Sequence, residues 1–388
     1  MGAQTEQLSI TGPVLRWGDA VRPALLGWLV GRVAVGVGFA LAHLLSGSVG
    51  LPHGRLHLDQ GLMTWDGTFY RVIAQGWYSG TDVPEEAVRF FPAYPALGRL
   101  AEFVFMGNTD LALLVIANAA ALGAAVVVWR LAAEGTTDRL VADRAAWMVA
   151  VVPAANVMVF AYSESLMLLM ATAVLLALLR GRPGWAALGA LGAGLLRPAG
   201  VLLALPALVE TWQWYRTQRG TPTRTLLRRA VPWACAVVAP AVGLVVALWV
   251  VSRRTGDVFE AYLIQRRLRD GFRDPLTRMV EAGVDFAGGH LHDIYNVAFA
   301  IGFAALFVIA VRHRQRLSWL VFMAATWVVA VGGNNMDSLG RYCVVAAPFT
   351  IALAQWGHTR GRQVLIATAG ILGTVWFTSE VLLGRIVP

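Results

Sequence analysis

Lysine is missing: all 32 basic residues of the 388-residue chain are arginine. Positive charge is therefore carried by planar guanidinium forks, which suit phosphate and carboxylate partners. Charge of either sign is scarce. Charged residues make up 14% of the sequence and apolar residues 57%, whereas soluble domains carry about 25% charged residues. That excludes a soluble globular protein and points to an integral membrane protein. Cysteine is scarce too: Cys235 and Cys343 fall inside apolar runs and read as small buried hydrophobes, which excludes a disulfide framework or a cysteine zinc site. No repeat period, low-complexity tract or soluble domain emerges, so residues 1–388 read as one membrane domain. The net charge of +9 does not argue for nucleic acid, because the cationic loops of a membrane protein set its topology.

What is present is a series of long apolar runs. They cover roughly 24–45, 110–130, 145–161, 165–180, 184–196, 199–210, 230–251, 291–311, 318–333, 342–357 and 364–384, about eleven spans. The fold class expected is an all-α, polytopic transmembrane bundle. The first run contains Arg32 and ends near "ALAH", a faint signal-peptidase pattern, but it is long enough to cross a bilayer and reads as a retained span. With a cytoplasmic N-terminus, the even-numbered connections are "RLAAEGTTDRLVADR", "RGRPG", "TWQWYRTQRGTPTRTLLRR", "RHRQR" and "HTRGRQ". Each is basic or nearly so, which follows the positive-inside rule. Two runs, 184–196 and 199–210, are too short to cross alone. They read as broken helices meeting at Arg197-Pro198, since one kinked helix would strand Arg197 in lipid.

The odd-numbered connections then face away from the cytoplasm and collect the polar groups. They are a 46–109 loop, "AYSES", "RPAG", a 252–290 loop and "NNMDSLGRY". Within the first lies "GLMTWDGTFYRVIAQGWYSG", whose Phe69, Val72, Ile73, Gly76 and Trp77 predict an amphipathic helix lying on a surface, headed by Trp65-Asp66. The 252–290 loop carries seven arginines between Arg253 and Arg278. Interleaved acids (Asp257, Glu260, Asp270, Asp274, Glu281, Asp285) make most of them a solvated, charge-paired face.

Five motifs in order resemble the PIG-V type mannosyltransferases, members of the GT-C class of lipid-linked-sugar glycosyltransferases. These are "WDGTFYRVIAQGWY", "RFFPAYPALGRL", "AYSESLMLLM…GLLRPAG", "TGDVFEAYLIQ" and "SLGRYCVVAAP", spanning about Trp65 to Pro348. The resemblance implies a polytopic fold with a catalytic acid in its first outer loop and a polyprenyl- or dolichyl-phosphate-mannose donor. It places the family's motif positions on Trp65 and Asp66, on Phe90 to Pro95, on Ser163 to Ser165, on Arg197, on Gly256, Asp257 and Gln265, and on Ser338 and Arg341. Pro198 departs from the Asn or Ser-Asn that often follows the helix-ending arginine.

Sugar transfer from a lipid phosphate needs a base for the acceptor hydroxyl, cations for the departing phosphate and an apolar groove for the lipid. Asp66 is the candidate base, with Asp59 as its substitute. As a residue pattern alone, Asp66 reads first as a helix N-cap, and the resemblance reverses that in favour of the base. Arg341 and Arg197 are the phosphate candidates, against the alternative of arginines snorkelling at helix ends. Glu164 and Asp337 could pair with an arginine, hold sugar hydroxyls or cap a helix, and Gln265 could donate to a sugar or phosphate oxygen. Phe91 and Tyr94 either frame the lipid groove or anchor the chain at the headgroup level, and Glu85 and Glu86 read as solvated. Trp65 and Ser338 complete the candidate substrate contacts. The absence of a close carboxylate pair agrees with an inverting displacement. His53 and His57 lack further ligands, so no metal or other cofactor is assigned. The expectation is thus a multi-pass cell-membrane mannosyltransferase. Its partners are polyprenyl-phosphate-mannose, a glycan or glycolipid acceptor and the bilayer, and its site is extracytoplasmic. A lipid-linked-sugar flippase is the alternative.

Overall fold

A computed structural model describes residues 16–269, 271, 273–287, 294–332 and 338–388. Asp270 and Asp337 lie outside the described residues. The described chain is helical apart from one extended segment, β1 (Pro52–Arg55). Helix α1 (Gly18–Leu45) leads into the first long connection, which folds into α2 (Leu56–Gln60), α3 (Asp66–Gly76) and α4 (Ala93–Glu102) joined by 3-10 turns. Then come α5 (Thr109–Thr136), α6 (Arg139–Met148), α7 (Glu164–Leu179), α8 (Pro183–Leu196), α9 (Ala204–Thr217) and α10 (Thr223–Thr255). The second long connection holds α11 (Glu260–Arg269) and α12 (Pro275–Ala287). The chain finishes with α13 (Ile294–Arg312), α14 (Leu317–Val331), α15 (Leu339–Val344), α16 (Ala347–Trp356) and α17 (Arg360–Leu382).

Among the described residues, five helices are long and apolar enough to cross a bilayer: α1, α5, α10, α13 and α17. Helices α7, α8 and α14 are apolar but shorter. Their outward faces are apolar as well. Leu26 and Val33 on α1 and Val245 and Trp249 on α10 are exposed, as suits helices solvated by lipid. The expected count of about eleven spans, some short or broken, is not confirmed, and two further runs are interrupted. The 145–161 run leaves α6 at Met148 and becomes a 3-10 turn, Pro153–Met158, since Pro153 cannot donate to a helical ladder. The 342–357 run is split into α15 and α16 just before Pro348, for the same reason. The break at Arg197 is where the sequence places it. Arg197 is extended (φ −155°, ψ 149°), and a 3-10 turn, Pro198–Leu203, folds back on the end of α8.

Residues of the even-numbered connections meet one another. Arg180 pairs with Glu134 at 2.6 Å, Arg316 with Glu210 at 3.0 Å, and Arg144 Nη1 donates to the Gly357 carbonyl at 2.9 Å. The odd-numbered connections gather at the other end, where α5 begins and α7 begins. Midway, Arg32 is satisfied without a carboxylate, by Asn118 Oδ1 at 2.9 Å and the Met158 carbonyl at 3.1 Å. Cys343 is buried as expected, but Cys235 is exposed on the outward side of α10.

Helices α8 and α10 pack backbone to backbone through glycine. A Cβ on Gly243 would lie 2.3 Å from the Leu191 carbonyl oxygen, and one on Gly194 would lie 2.2 Å from the Pro240 carbonyl oxygen. Small residues permit this approach in membrane helices. Gly243→Val is therefore expected to force the pair apart and cost about 1–3 kcal/mol, read as a lowered thermal midpoint in detergent. Gly36→Ala, at a position with open space around it, should leave the midpoint unchanged or raised.

The first long connection has its own core, built from Tyr70, Ile73, Tyr78, Phe90, Tyr94 and Leu113. Helix α3 is consequently wedged inside the protein. It buries Asp66, Gly67, Tyr70, Ile73 and Ala74, with Phe69, Val72 and Trp77 partly buried against the same core, so the helix is enclosed instead of lying on a surface. Tight closure explains the difference: Arg254, from the end of α10, donates to the carbonyls of Tyr78 (2.6 Å) and Val83 (2.7 Å) and holds this connection down. The other arginines of the 252–290 connection are in part charge-paired, Arg273 with Glu281 and Arg267 with Glu260 at 3.8 Å.

Candidate active site

Four chain breaks meet where the odd-numbered connections gather. The first is the start of α3. Trp65 stands there with φ +55°, a backbone region that costs a bulky residue of order 1–3 kcal/mol. It is over-determined by its surroundings. The indole Nε1 donates to the Val381 carbonyl at 3.1 Å, and the ring stacks on His57 at 4.1 Å with 5° between planes. The Tyr162 hydroxyl donates to the Thr64 carbonyl at 3.1 Å. These contacts aim Asp66, the first residue of α3, inward. No side-chain cap closes this helix start, so Asp66 does not serve as the N-cap that its position suggested.

The carboxylate goes instead to Arg341 on α15, whose Nη1 donates to Asp66 Oδ2 at 2.6 Å. Arg341 Nε lies 3.5 Å from Glu164 Oε1. Glu164, first residue of α7, also pairs with Arg197 at the α8 break. Arg197 Nη1 donates to Ser163 Oγ at 3.2 Å, and Ser163 Oγ stands 2.7 Å from the Tyr70 hydroxyl. The quartet is largely out of solvent: Asp66 is 9% exposed, Glu164 1% and Arg341 8%, and the Arg197 side chain is 12% exposed. Two carboxylates and two guanidiniums cancel, which is the condition for keeping such charges buried. The Tyr342 ring lies beside both cations, 5.4 Å from Arg197 and 5.7 Å from Arg341. Burial pushes the Tyr70 phenol above its ordinary value, against the opposing pull of Arg197, so it stays protonated.

The remaining sequence candidates sort differently. Ser338, in the left-handed region at φ +68°, donates to the Pro388 carbonyl and stands three residues before Arg341. Phe91 and Tyr94 do not frame a groove. Both are fully buried, and Tyr94 donates to the Leu113 carbonyl at 2.9 Å while its ring braces Tyr70 at 4.8 Å. The reason is that α4 packs inward on α5, so "RFFPAYP" supplies core instead of surface. Gln265 is half-buried on α11, and no hydrogen bond or ion pair among the described residues joins it to the quartet. Asp59 is exposed beside Arg55 at 3.9 Å, away from the site. Glu85 and Glu86 are exposed. Ser163 enters as the bridge between Arg197 and Tyr70, and Tyr70 was not singled out from the sequence. Its position three residues before Ile73 on the buried face of α3 is the signal that would have found it.

A cavity of about 310 Å³ opens beside Arg341. Its walls come from the Pro153–Met158 turn, the start of α13, Ser338 with the first turn of α15, the end of α17 and the residues 385–388 that follow it.

Comparison with solved structures supplies the fold class. The oligosaccharyltransferase AglB of Archaeoglobus fulgidus, in complex with an inhibitory peptide and a dolichol-phosphate, superposes with a TM-score of 0.50 at 13% identity. The match covers 93% of this chain and 56% of that one. The same protein in its apo form gives 0.50 at 14% identity with the same coverage. The fold is GT-C. Identity this low carries the fold and nothing finer, and the chain spans 56% of the AglB length. No family model matches the sequence, and no curated protein does.

Proposed function

We propose that this protein is an inverting glycosyltransferase. It would move a hexose, mannose on the strength of the motif resemblance, from a polyprenyl phosphate to a hydroxyl of a glycan or glycolipid acceptor. One observation carries the reading: Asp66, Glu164, Arg197 and Arg341, from four separate chain breaks, form one buried, charge-balanced cluster at the end of a GT-C bundle. The dolichol-phosphate bound in the AglB structure supports a lipid-phosphate donor. The arginine distribution in the connections supports an extracytoplasmic site.

In the proposed step the acceptor oxygen attacks C1 of the donor sugar from the face opposite the phosphate. The C1–O bond to phosphate breaks, its electron pair leaves on the phosphate oxygen, and the acceptor proton passes to Asp66. A single displacement inverts C1 and needs one carboxylate. Asp66 Oδ2 is occupied by Arg341, while no hydrogen bond among the described residues engages Oδ1, which is left for the acceptor hydroxyl. Arg341, with Arg197 behind it on Glu164, supplies forks for the departing phosphate. The reading assigns that neutralisation to arginine and invokes no cofactor.

The test uses the purified full chain in sealed liposomes with farnesyl-phosphate-[³H]mannose, its glucose counterpart, and envelope extract as acceptor. Label is expected in a hydroxyl-linked product, with release of farnesyl phosphate in equal amount. Passage of intact donor across the bilayer with no cleavage would establish the transport alternative and end the transferase reading.

A further inference from the structure

The cavity beside Arg341 has a lining that the quartet does not explain. We propose that it is a monosaccharide subsite, which deepens the glycosyl-transfer reading and rests on it for the link to catalysis. Size is the first argument. Its volume of about 310 Å³ stands at the lower end of small-molecule sites, about 300–1,000 Å³, and suits a single hexose.

Chemistry is the second. Asn156 lines the cavity and is 3% exposed, yet its side-chain amide makes no hydrogen bond to any described residue. Neither of its amide atoms is sealed away without a partner, and the side chain lines the cavity, where a ligand could pair with it. An amide offers one donor and one acceptor side by side, the pairing that two neighbouring sugar hydroxyls require. Asn296, Tyr295 and Glu380 add an amide, a phenol and a carboxylate on other walls. Arg385 lies 3.7 Å from Glu380 and is partly neutralised by it. Phe299 and Phe377 present apolar faces to the same space, suited to the C–H face of a pyranose. Phe377 and Tyr295 are held in one aromatic cluster with Trp376, at 4.8 and 4.6 Å from it.

The cavity is also tied to the base. Val381, on its wall, is the residue whose carbonyl accepts from the Trp65 indole, and Trp65 directly precedes Asp66. A sugar seated here would rest against Arg341 on one side and the support of Asp66 on the other. The same chemistry serves the donor's hexose or an acceptor's terminal hexose, and the experiment separates them.

The probe is methyl α-mannopyranoside, titrated into the full chain in nanodiscs and followed by saturation-transfer-difference NMR. Saturable binding is expected in the wild type. Asn156→Leu should weaken it about tenfold, the cost of one lost buried polar pairing, and Glu380→Gln should weaken it several-fold. If Asn156→Leu does not fold, Glu380→Gln and Phe377→Ala carry the test. Competitive displacement by farnesyl-phosphate-mannose but not by farnesyl phosphate assigns the subsite to the donor. Simultaneous binding assigns it to the acceptor. Absence of saturable binding, or variants that bind as the wild type does, overturns the proposal. Sugar binding that depends on Asn156 in a protein without transfer activity would keep the subsite and refute the transferase reading, and the reverse result would do the opposite.

Discussion

Replacing Asp66 by asparagine is expected to lower the transfer rate by about 10²–10⁴-fold, the usual contribution of a positioned general base. The substitution is nearly isosteric, and its amide oxygen can still accept from Arg341 Nη1, which now lies 2.6 Å from Oδ2. It also leaves one guanidinium of the quartet uncompensated, so a lowered thermal midpoint is expected and the rate is compared on folded protein. The KM for the lipid donor should therefore change little while kcat falls, the pattern of an interaction made in the transition state. Asp59→Asn serves as the comparison. Its carboxylate is exposed beside Arg55, so its rate should stay within about twofold of wild type, as for most surface substitutions. An Asp66→Asn protein that retains transfer within a few-fold of wild type would remove the base from the mechanism.

The second expected result concerns Arg341. Its guanidinium stands 2.6 Å from Asp66 and 3.5 Å from Glu164, with all three side chains nearly out of solvent. Arg341→Met leaves two buried carboxylates facing only Arg197, and an uncompensated buried charge costs about 3–5 kcal/mol. The thermal midpoint in detergent should fall by several degrees or more. The informative variant is the double one. Arg341→Met with Asp66→Asn returns the remaining pair, Glu164 and Arg197, to neutrality, so it should be more stable than Arg341→Met alone while staying inactive. Additive destabilisation in the double variant would show that the two side chains are not coupled. Arg341→Lys should rescue stability only in part, because a single ammonium cannot present two separated donors to two carboxylates as the fork does.

Much of this site was legible in the sequence because charge is expensive in lipid. Arg197, Glu164 and Arg341 stand out among apolar runs, and their spacing relative to the arginine-rich connections puts them at one end. The contacts Glu134–Arg180 and Glu210–Arg316 show the other end gathering in the same register. The break at Arg197-Pro198 followed from the same cost. What hydropathy does not encode is continuity. Residues 145–161 and 342–357 are apolar enough for spans, but Pro153 and Pro348 interrupt their ladders. Their loosened backbone packs closely, as where a Cβ on Gly370 would lie 2.2 Å from the Val151 carbonyl oxygen. The depth of α3 was misread because periodicity reports which residues are apolar, not that Arg254 would close a lid of chain over them. Asn156 and Glu380 escaped notice because each lies in a run read as plain membrane-spanning helix. A polar group there is costly and therefore informative.

The neutrality of the quartet has a consequence for the course of the proposed reaction. A lipid-linked sugar phosphodiester carries one negative charge, and the phosphate released from it can carry two, while a protonated Asp66 carries none. Transfer would thus shift a charge from one oxygen to another within reach of the same guanidinium, without altering the total enclosed by the protein. Arg341, ion-paired to Glu164 at 3.5 Å without a hydrogen bond between them, could follow that charge by turning its Nη1 arm, and no counter-ion would need to be drawn from water during turnover.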